Sequence, residues 1–163
     1  MLAMYQWWLW AHIVFVVGFL LSHGTSAAVG FRLRQEKSPD SIRGLTALSK
    51  QTNNFTYAFV ILILITGISM GFQNNWWRFA WIWVALGVLI LTIGAMSGLS
   101  RPYHNVRVGL GLPGRGPQRG TPPAPVSSEQ LAQLVARANP VPISIVGIVA
   151  LLILVWLMVL KPF

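Results

Sequence analysis

Four long stretches of this chain carry no charged residue: 1–31, 51–77, 79–100 and 138–160. Within them the apolar positions run almost without interruption. They lack the period-two alternation of a β-strand, which disfavours a membrane β-barrel. A helix rises ~1.5 Å per residue, and crossing the hydrocarbon of a bilayer takes roughly 20 mostly apolar residues. The pattern therefore predicts four membrane-spanning helices, at about 6–31, 54–73, 78–99 and 142–160. The expected architecture is all-α, an integral membrane four-helix bundle running up and down within one domain, 1–163.

Between the spans the pattern changes. Ser38-Pro39-Asp40 has the makings of a helix start, with a capping hydroxyl, a proline in the first turn and an acid at the positive helix end. Ile42, Leu45 and Leu48 then recur on one side. The segment 32–53 is expected to hold a short amphipathic helix lying on the membrane surface. The loop 100–141 is richer in breakers. Ten of the eighteen residues from Gly109 to Val126 are Gly or Pro, which excludes a regular element there and predicts a mobile or extended segment. Ser127 followed by Gln130 forms a capping-box pattern, with Leu131, Leu134 and Val135 as one apolar edge and Asn139-Pro140 as the stop.

Composition agrees. Of 163 residues, 55% are hydrophobic and 9% charged, against about 25% charged in soluble domains. No cysteine is present, so disulfides, thiolate metal sites and cysteine nucleophiles are excluded. Met1–Trp10 contains no Lys or Arg, unlike the basic start of a cleaved signal peptide. Arg32, Arg34, Lys37, Arg43 and Lys50 crowd the first loop, and Arg101, Arg107, Arg115, Arg119 and Arg137 the third. Only Arg78 and Lys161 lie toward the opposite side. Because cytoplasmic loops retain Lys and Arg, both termini are expected outside a bacterial cytoplasmic membrane. All eight Trp, at 7, 8, 10, 76, 77, 81, 83 and 156, fall near the side poor in positive charge. An interfacial aromatic belt accounts for them, and a docking face for another membrane subunit is the alternative. Without aromatic interleaving, the basic loops point to membrane lipids and not to nucleic acid.

Candidate chemistry is sparse. No Asp, Glu, Lys or Arg falls inside a span, which speaks against an ion-coupled transporter. No phosphate loop, zinc spacing or nucleophile–base pattern occurs. His12 and His23 are the exceptions: they lie about 20° apart around one helix and ~16 Å apart along it. Each is a candidate ligand for a haem or chlorophyll-type metal, or a partner in an interhelical hydrogen bond. His104 lies at the basic edge. Ser22, Ser26 and Gly30 make a ridge of small residues, as do Gly67 with Gly71 and Gly94 with Gly98, and such ridges bring helices close. Packing within the bundle is the expectation for all three. Thr66, Ser69, Thr92 and Ser97 can hydrogen-bond across helices.

The segments Trp10-Ala11-His12-Ile13, Ser22-His23-Gly24-Thr25-Ser26 and Phe31 to Pro39 resemble a bacterial family of four-span integral membrane proteins of unknown function. That family is distantly similar to copper-resistance-D-like proteins and to haem-binding protoporphyrinogen oxidases. The resemblance implies a compact four-helix membrane bundle, and implies haem b at His12, the position matching the first-span ligand of the oxidases. Those oxidases also use an intramembrane lysine, and Lys50 here stands only at the mouth of the second span. Two functions follow: a non-enzymatic structural or accessory subunit, packing on itself or in a larger membrane complex, or a haem- or pigment-binding redox protein using His12 and His23.

Overall fold

The computed structural model describes residues 2–113 and 123–162. The described residues form six α-helices: α1 (Leu2–Gln35), α2 (Pro39–Gln73), α3 (Ala80–Leu99), α4 (Arg101–Gly109), α5 (Ser128–Arg137) and α6 (Pro140–Leu160). No strand occurs among the described residues. Four helical stretches are long and apolar enough to cross a membrane, ending at Gln35, Gln73, Gly109 and Leu160. The protein is a multi-pass, all-α, four-helix membrane bundle.

The helices pack in two antiparallel pairs, α1 along α2 and α3 along α6. The pairs meet where the basic half of α1 touches α6. Lipid offers no hydrophobic drive for helices to associate, so small residues and polar seams must hold such a bundle. The α1–α2 seam shows both. Gly18 faces the Phe59 ring so closely that a Cβ would sit 2.5 Å from it. Above and below that contact, His12 meets Thr66, Thr56 donates to the Ser22 hydroxyl at 3.1 Å, and Ser26 donates to Asn53 Oδ1 at 3.2 Å. Each residue of the Ser22–Ser26–Gly30 ridge is used within the chain, Gly30 lying buried against Tyr103 and Pro140.

Two small cores close the ends. At the basic end Leu33, Ile42, Val106, Leu110, Leu131, Val135 and Ala138 are buried together, with Val106 0% exposed. Arg43 donates to the Leu110 carbonyl at 3.2 Å, tying α2 to the end of α4. At the other end Trp81, Ile82, Ala85 and Leu157 pack together beneath Trp76 and Trp77. A 3-10 turn, Trp76–Arg78, joins α2 to α3 there. Asn75 enters that turn at φ 54°, a left-handed position that Asn tolerates better than most residues.

Helix starts follow the sequence closely. Ser127 and Gln130 complete a reciprocal capping box, and the Asn139 side chain accepts the Val141 N–H ahead of α6. Pro39 and Asp40 occupy the first turn of α2. The segment after Ser38 nonetheless differs from expectation. It forms no separate surface helix, because α2 runs unbroken from Pro39 to Gln73. The polar run 49–54 passes as a linker in sequence, yet it contains neither Pro nor Gly. Its Thr52 hydroxyl turns back onto the Leu48 and Ser49 carbonyls. Ser38 makes no side-chain cap; instead Glu36 Oε1 accepts the Lys37 and Ser38 N–H groups at 3.0 and 3.2 Å. Those two bonds, Ser38's first, and then Arg32 hold the Glu36 carboxyl below its ordinary range. Its support for the turn is therefore present at neutral pH and lost as acid protonates it. The loop 100–141 also departs from expectation at its start, where α4 forms. Half of the Gly/Pro-rich stretch expected to be mobile, 114–122, lies outside the described residues.

Tyr103 gives a first prediction. Its hydroxyl is buried at the α1–α4–α6 junction with no hydrogen-bond partner among the described residues. Removing an unpaired buried polar group while keeping the ring relieves a desolvation penalty. Tyr103→Phe is expected to leave the melting temperature in detergent unchanged or raise it, by an amount equivalent to about 1 kcal/mol. A fall in melting temperature would show that the hydroxyl is satisfied.

Candidate functional site

The two intramembrane histidines are the sequence's main chemical candidates, and the structure separates them. His12 Nδ1 lies 2.8 Å from Thr66 Oγ1. Thr66 is buried, and its hydroxyl is 2.8 Å from the Leu62 carbonyl and 3.0 Å from that of Ile63. A hydroxyl has one proton to give. When Thr66 gives it to its own helix, its oxygen accepts from His12 Nδ1–H, the tautomer that leaves the lone pair on Nε2. Gly67 gives the ring room, since a Cβ there would lie 3.4 Å from His12 Cε1.

His23 engages different helices. Its ring stacks on Phe19 with centroids 5.5 Å apart and planes 5° from parallel. On α6, a Cβ at Gly147 would lie 2.9 Å from His23 Nε2 and 3.0 Å from the Met96 methyl. Thus His12 faces α2 while His23 reaches the junction of α1, α3 and α6. The two do not converge, and no group of three His, Cys, Asp or Glu residues able to hold a metal occurs among the described residues. Of the threonines and serines named as cross-helix donors, Thr66 pairs with α1, while Ser69 and Thr92 donate to their own helices.

At the tryptophan end, three tryptophans of the expected belt, Trp76, Trp77 and Trp81, are internal packing. Trp81 is buried and meets Trp76 with centroids 5.3 Å apart; Tyr5 stands edge-on to Trp76 at 6.3 Å. Lys161 Nζ sits 4.2 Å over the Trp76 ring and 5.7 Å from Trp81. This cation–π contact fastens the end of α6 to the α2–α3 turn. Lys161 adopts φ 44° to reach it, a left-handed conformation unusual for lysine. Trp83 Nε1 donates to the Trp77 carbonyl at 2.9 Å, so this tryptophan too has a local role. Trp7, Trp10, Trp83 and Trp156 keep their faces exposed, as an interfacial belt requires. Sequence reading did not find the Lys161 contact. The signal available was a lone lysine following a span on the side where every tryptophan lies.

The small-residue ridges fall into two kinds. On α2, Gly67 and Gly71 are used internally, against His12 and Trp77. On α3, Gly87, Gly94 and Gly98 meet nothing within 4 Å of a Cβ position. Spacings of seven and four residues put these three within about 60° on one side of α3. The expectation that the Gly94–Gly98 ridge packs inside the bundle is therefore corrected: α3 meets α6 through another face.

The arrangement defines a four-helix membrane protein with a polar α1–α2 seam. No family model, curated protein or solved structure matches the chain.

Proposed function

We propose that this chain is a small structural or accessory protein of a bacterial cytoplasmic membrane that associates through α3 with a second copy of itself or with a larger membrane complex. The unfilled ridge Gly87–Gly94–Gly98 carries the reading. Small-xxx-small faces let transmembrane helices approach at backbone distance, and this one meets nothing among the described residues. The charge asymmetry supports an orientation with the basic loops in the cytoplasm and both termini outside. Cross-linking in mild detergent, followed by mass analysis, tests the association. The wild type is expected to yield a dimer or a co-purifying membrane partner, and Gly94→Ile with Gly98→Ile is expected to abolish it. A wild type that stays monomeric and alone at all concentrations defeats the reading. Orientation is tested by labelling intact cells with an impermeant thiol reagent. Asn74→Cys should react and Glu36→Cys should not.

A second reading, a haem- or pigment-binding redox protein, has one observation in its favour. Metal-ligating histidines commonly donate their other ring N–H to a fixed acceptor, and in the tautomer protonated at Nδ1 His12 has Thr66 as that acceptor at 2.8 Å, leaving Nε2 as the available donor. His12 is the residue that would hold such a group, through Nε2. His23 lies too far along α1 to complete a bis-imidazole pair. When bound, such a group would supply one-electron chemistry, with Thr66 holding the imidazole. A Soret band in protein from the native membrane, lost in His12→Ala, would establish this reading; a colourless folded preparation would remove it.

A further inference from the structure

At the basic end a groove of about 390 Å³ opens between the α1–α2 turn and α5. Its floor is apolar, built on Ile42, Leu131 and Val135, and its rim carries Arg34, Lys37 and Glu36. Glu36 is already engaged by the Lys37 and Ser38 N–H groups and by Arg32 at 4.0 Å. Arg34 spends one Nη1 bond on neutral Asn139 at 3.2 Å and makes no further hydrogen bond among the described residues. Arg34 and Lys37 form no salt bridge with the described residues, so the rim holds two cations without carboxylate partners.

The depth of this groove follows from α6. Its 21 residues, Pro140–Leu160, span ~30 Å, the hydrocarbon thickness, with Asn139 and Lys161 marking the two edges. Gly30 packs level with Pro140. Arg34, four residues beyond Gly30 on the same helix, has its backbone ~6 Å outside the hydrocarbon, and Lys37 lies in the turn just past the end of α1 at Gln35. The headgroup layer is ~5–8 Å deep on each side. Arg34 thus stands at the level of the lipid phosphates, with Lys37 in the turn beside it, above a floor suited to the apolar edge of a glycerol backbone. We infer that this groove is a headgroup site for an anionic phospholipid, its phosphate held by Arg34 and Lys37. Charge and depth together select a lipid over a soluble acidic peptide. The inference needs the membrane placement of α1 and α6 but not the association through α3.

The test uses the full chain in phosphatidylcholine nanodiscs doped with phosphatidylglycerol, with retained lipid counted by native mass spectrometry after mild delipidation. Circular dichroism first establishes that each variant is folded. Arg34→Gln with Lys37→Gln is expected to weaken phosphatidylglycerol retention about tenfold or more. Lys50→Gln with Arg101→Gln removes as much charge from the same face outside the groove and should change retention less than about threefold. Ala132→Trp fills the exposed side of the groove without altering charge, and should weaken retention as strongly as the rim variant. Ala136→Trp serves the same purpose if Ala132→Trp does not fold. Equal losses in the rim and control variants would reduce the effect to diffuse attraction and overturn the site, as would full retention in a folded tryptophan variant. Soluble glycerol 1-phosphate competing at the concentration of the lipid would make the ligand a free phosphate ester. Displacement by a polyglutamate peptide would reassign the groove to a protein partner.

Discussion

Val106→Asp is expected to unfold the cap at the basic end and lower stability by about 4 kcal/mol or more. Val106 is 0% exposed, at the centre of the cluster formed by Leu33, Ile42, Leu110, Leu131, Val135 and Ala138. No cation is buried with it, so a carboxylate there would be desolvated without a partner, or would protonate and leave a polar group among apolar ones. The location sets the size of the effect. By the depth argument from α6, this cluster lies beyond the hydrocarbon, where water competes and apolar burial drives folding. The helices inside the bilayer have no such drive. Cap and spans should therefore respond differently. In Val106→Asp, α4 and α5 are expected to become protease-sensitive while the α1–α2 pair keeps its helicity, read by limited proteolysis beside circular dichroism. The milder Leu131→Ala should give the same pattern at about 2–5 kcal/mol. A melting temperature unchanged by Val106→Asp would mean that the cap contributes nothing to the fold.

The same division explains what the sequence disclosed. The spans announce themselves because a membrane segment must be long and free of charge, and those conditions are local. The capping box at Ser127 and the stop at Asn139-Pro140 are local as well, and the structure has both. The start of α4 was hidden. Arg101-Pro102-Tyr103-His104-Asn105 is polar and holds a proline, and only the cap core explains why it is helical: Val106 and Gly109 are buried against α5. The continuity of α2 was hidden for a related reason. Ser49 to Asn54 would favour a linker in isolation, but Asn53 and Thr56 have partners on α1.

The histidines show the limit most clearly. An 11-residue spacing places His12 and His23 on one face of α1, which is sound helix geometry. That face nonetheless meets α2 near one end and α6 near the other: His12 lies against Thr66 and His23 against Gly147. Which neighbour a residue meets is a tertiary fact without a local signature. The α3 ridge is the same case in reverse. Gly94 and Gly98 have the spacing of a packed face, and the chain's own helices leave them uncovered.

Gly18→Leu should be the most damaging single change within the bilayer. A Cβ at this position would lie 2.5 Å from Cε1 and Cζ of Phe59, closer than two carbons can approach. The Phe59 ring occupies the α1–α2 seam, so either it leaves its rotamer or the helices move apart. Overpacking of this kind typically costs about 1–3 kcal/mol, and here the separation also strains the bonds on either side. His12–Thr66 lies on one flank of Gly18, and Ser22–Thr56 on the other. Gly18→Ala is expected to show the same effect in reduced form, and Phe59→Ala should partly rescue Gly18→Leu by emptying the contested space. Gly24→Leu is the control. It lies six residues further along the same helix with nothing within 4 Å of its Cβ position, and it should be tolerated. Thermal melting in detergent gives the energies, and the His12 imidazole proton resonance in labelled protein reports whether the Thr66 bond survives. If Gly18→Leu and Gly24→Leu melt alike, α1 and α2 do not meet at Gly18, and the assigned seam is wrong. If Gly18→Leu is destabilised while the His12 resonance stays unchanged, the seam yields locally at Phe59, and the polar contacts on its two flanks act independently.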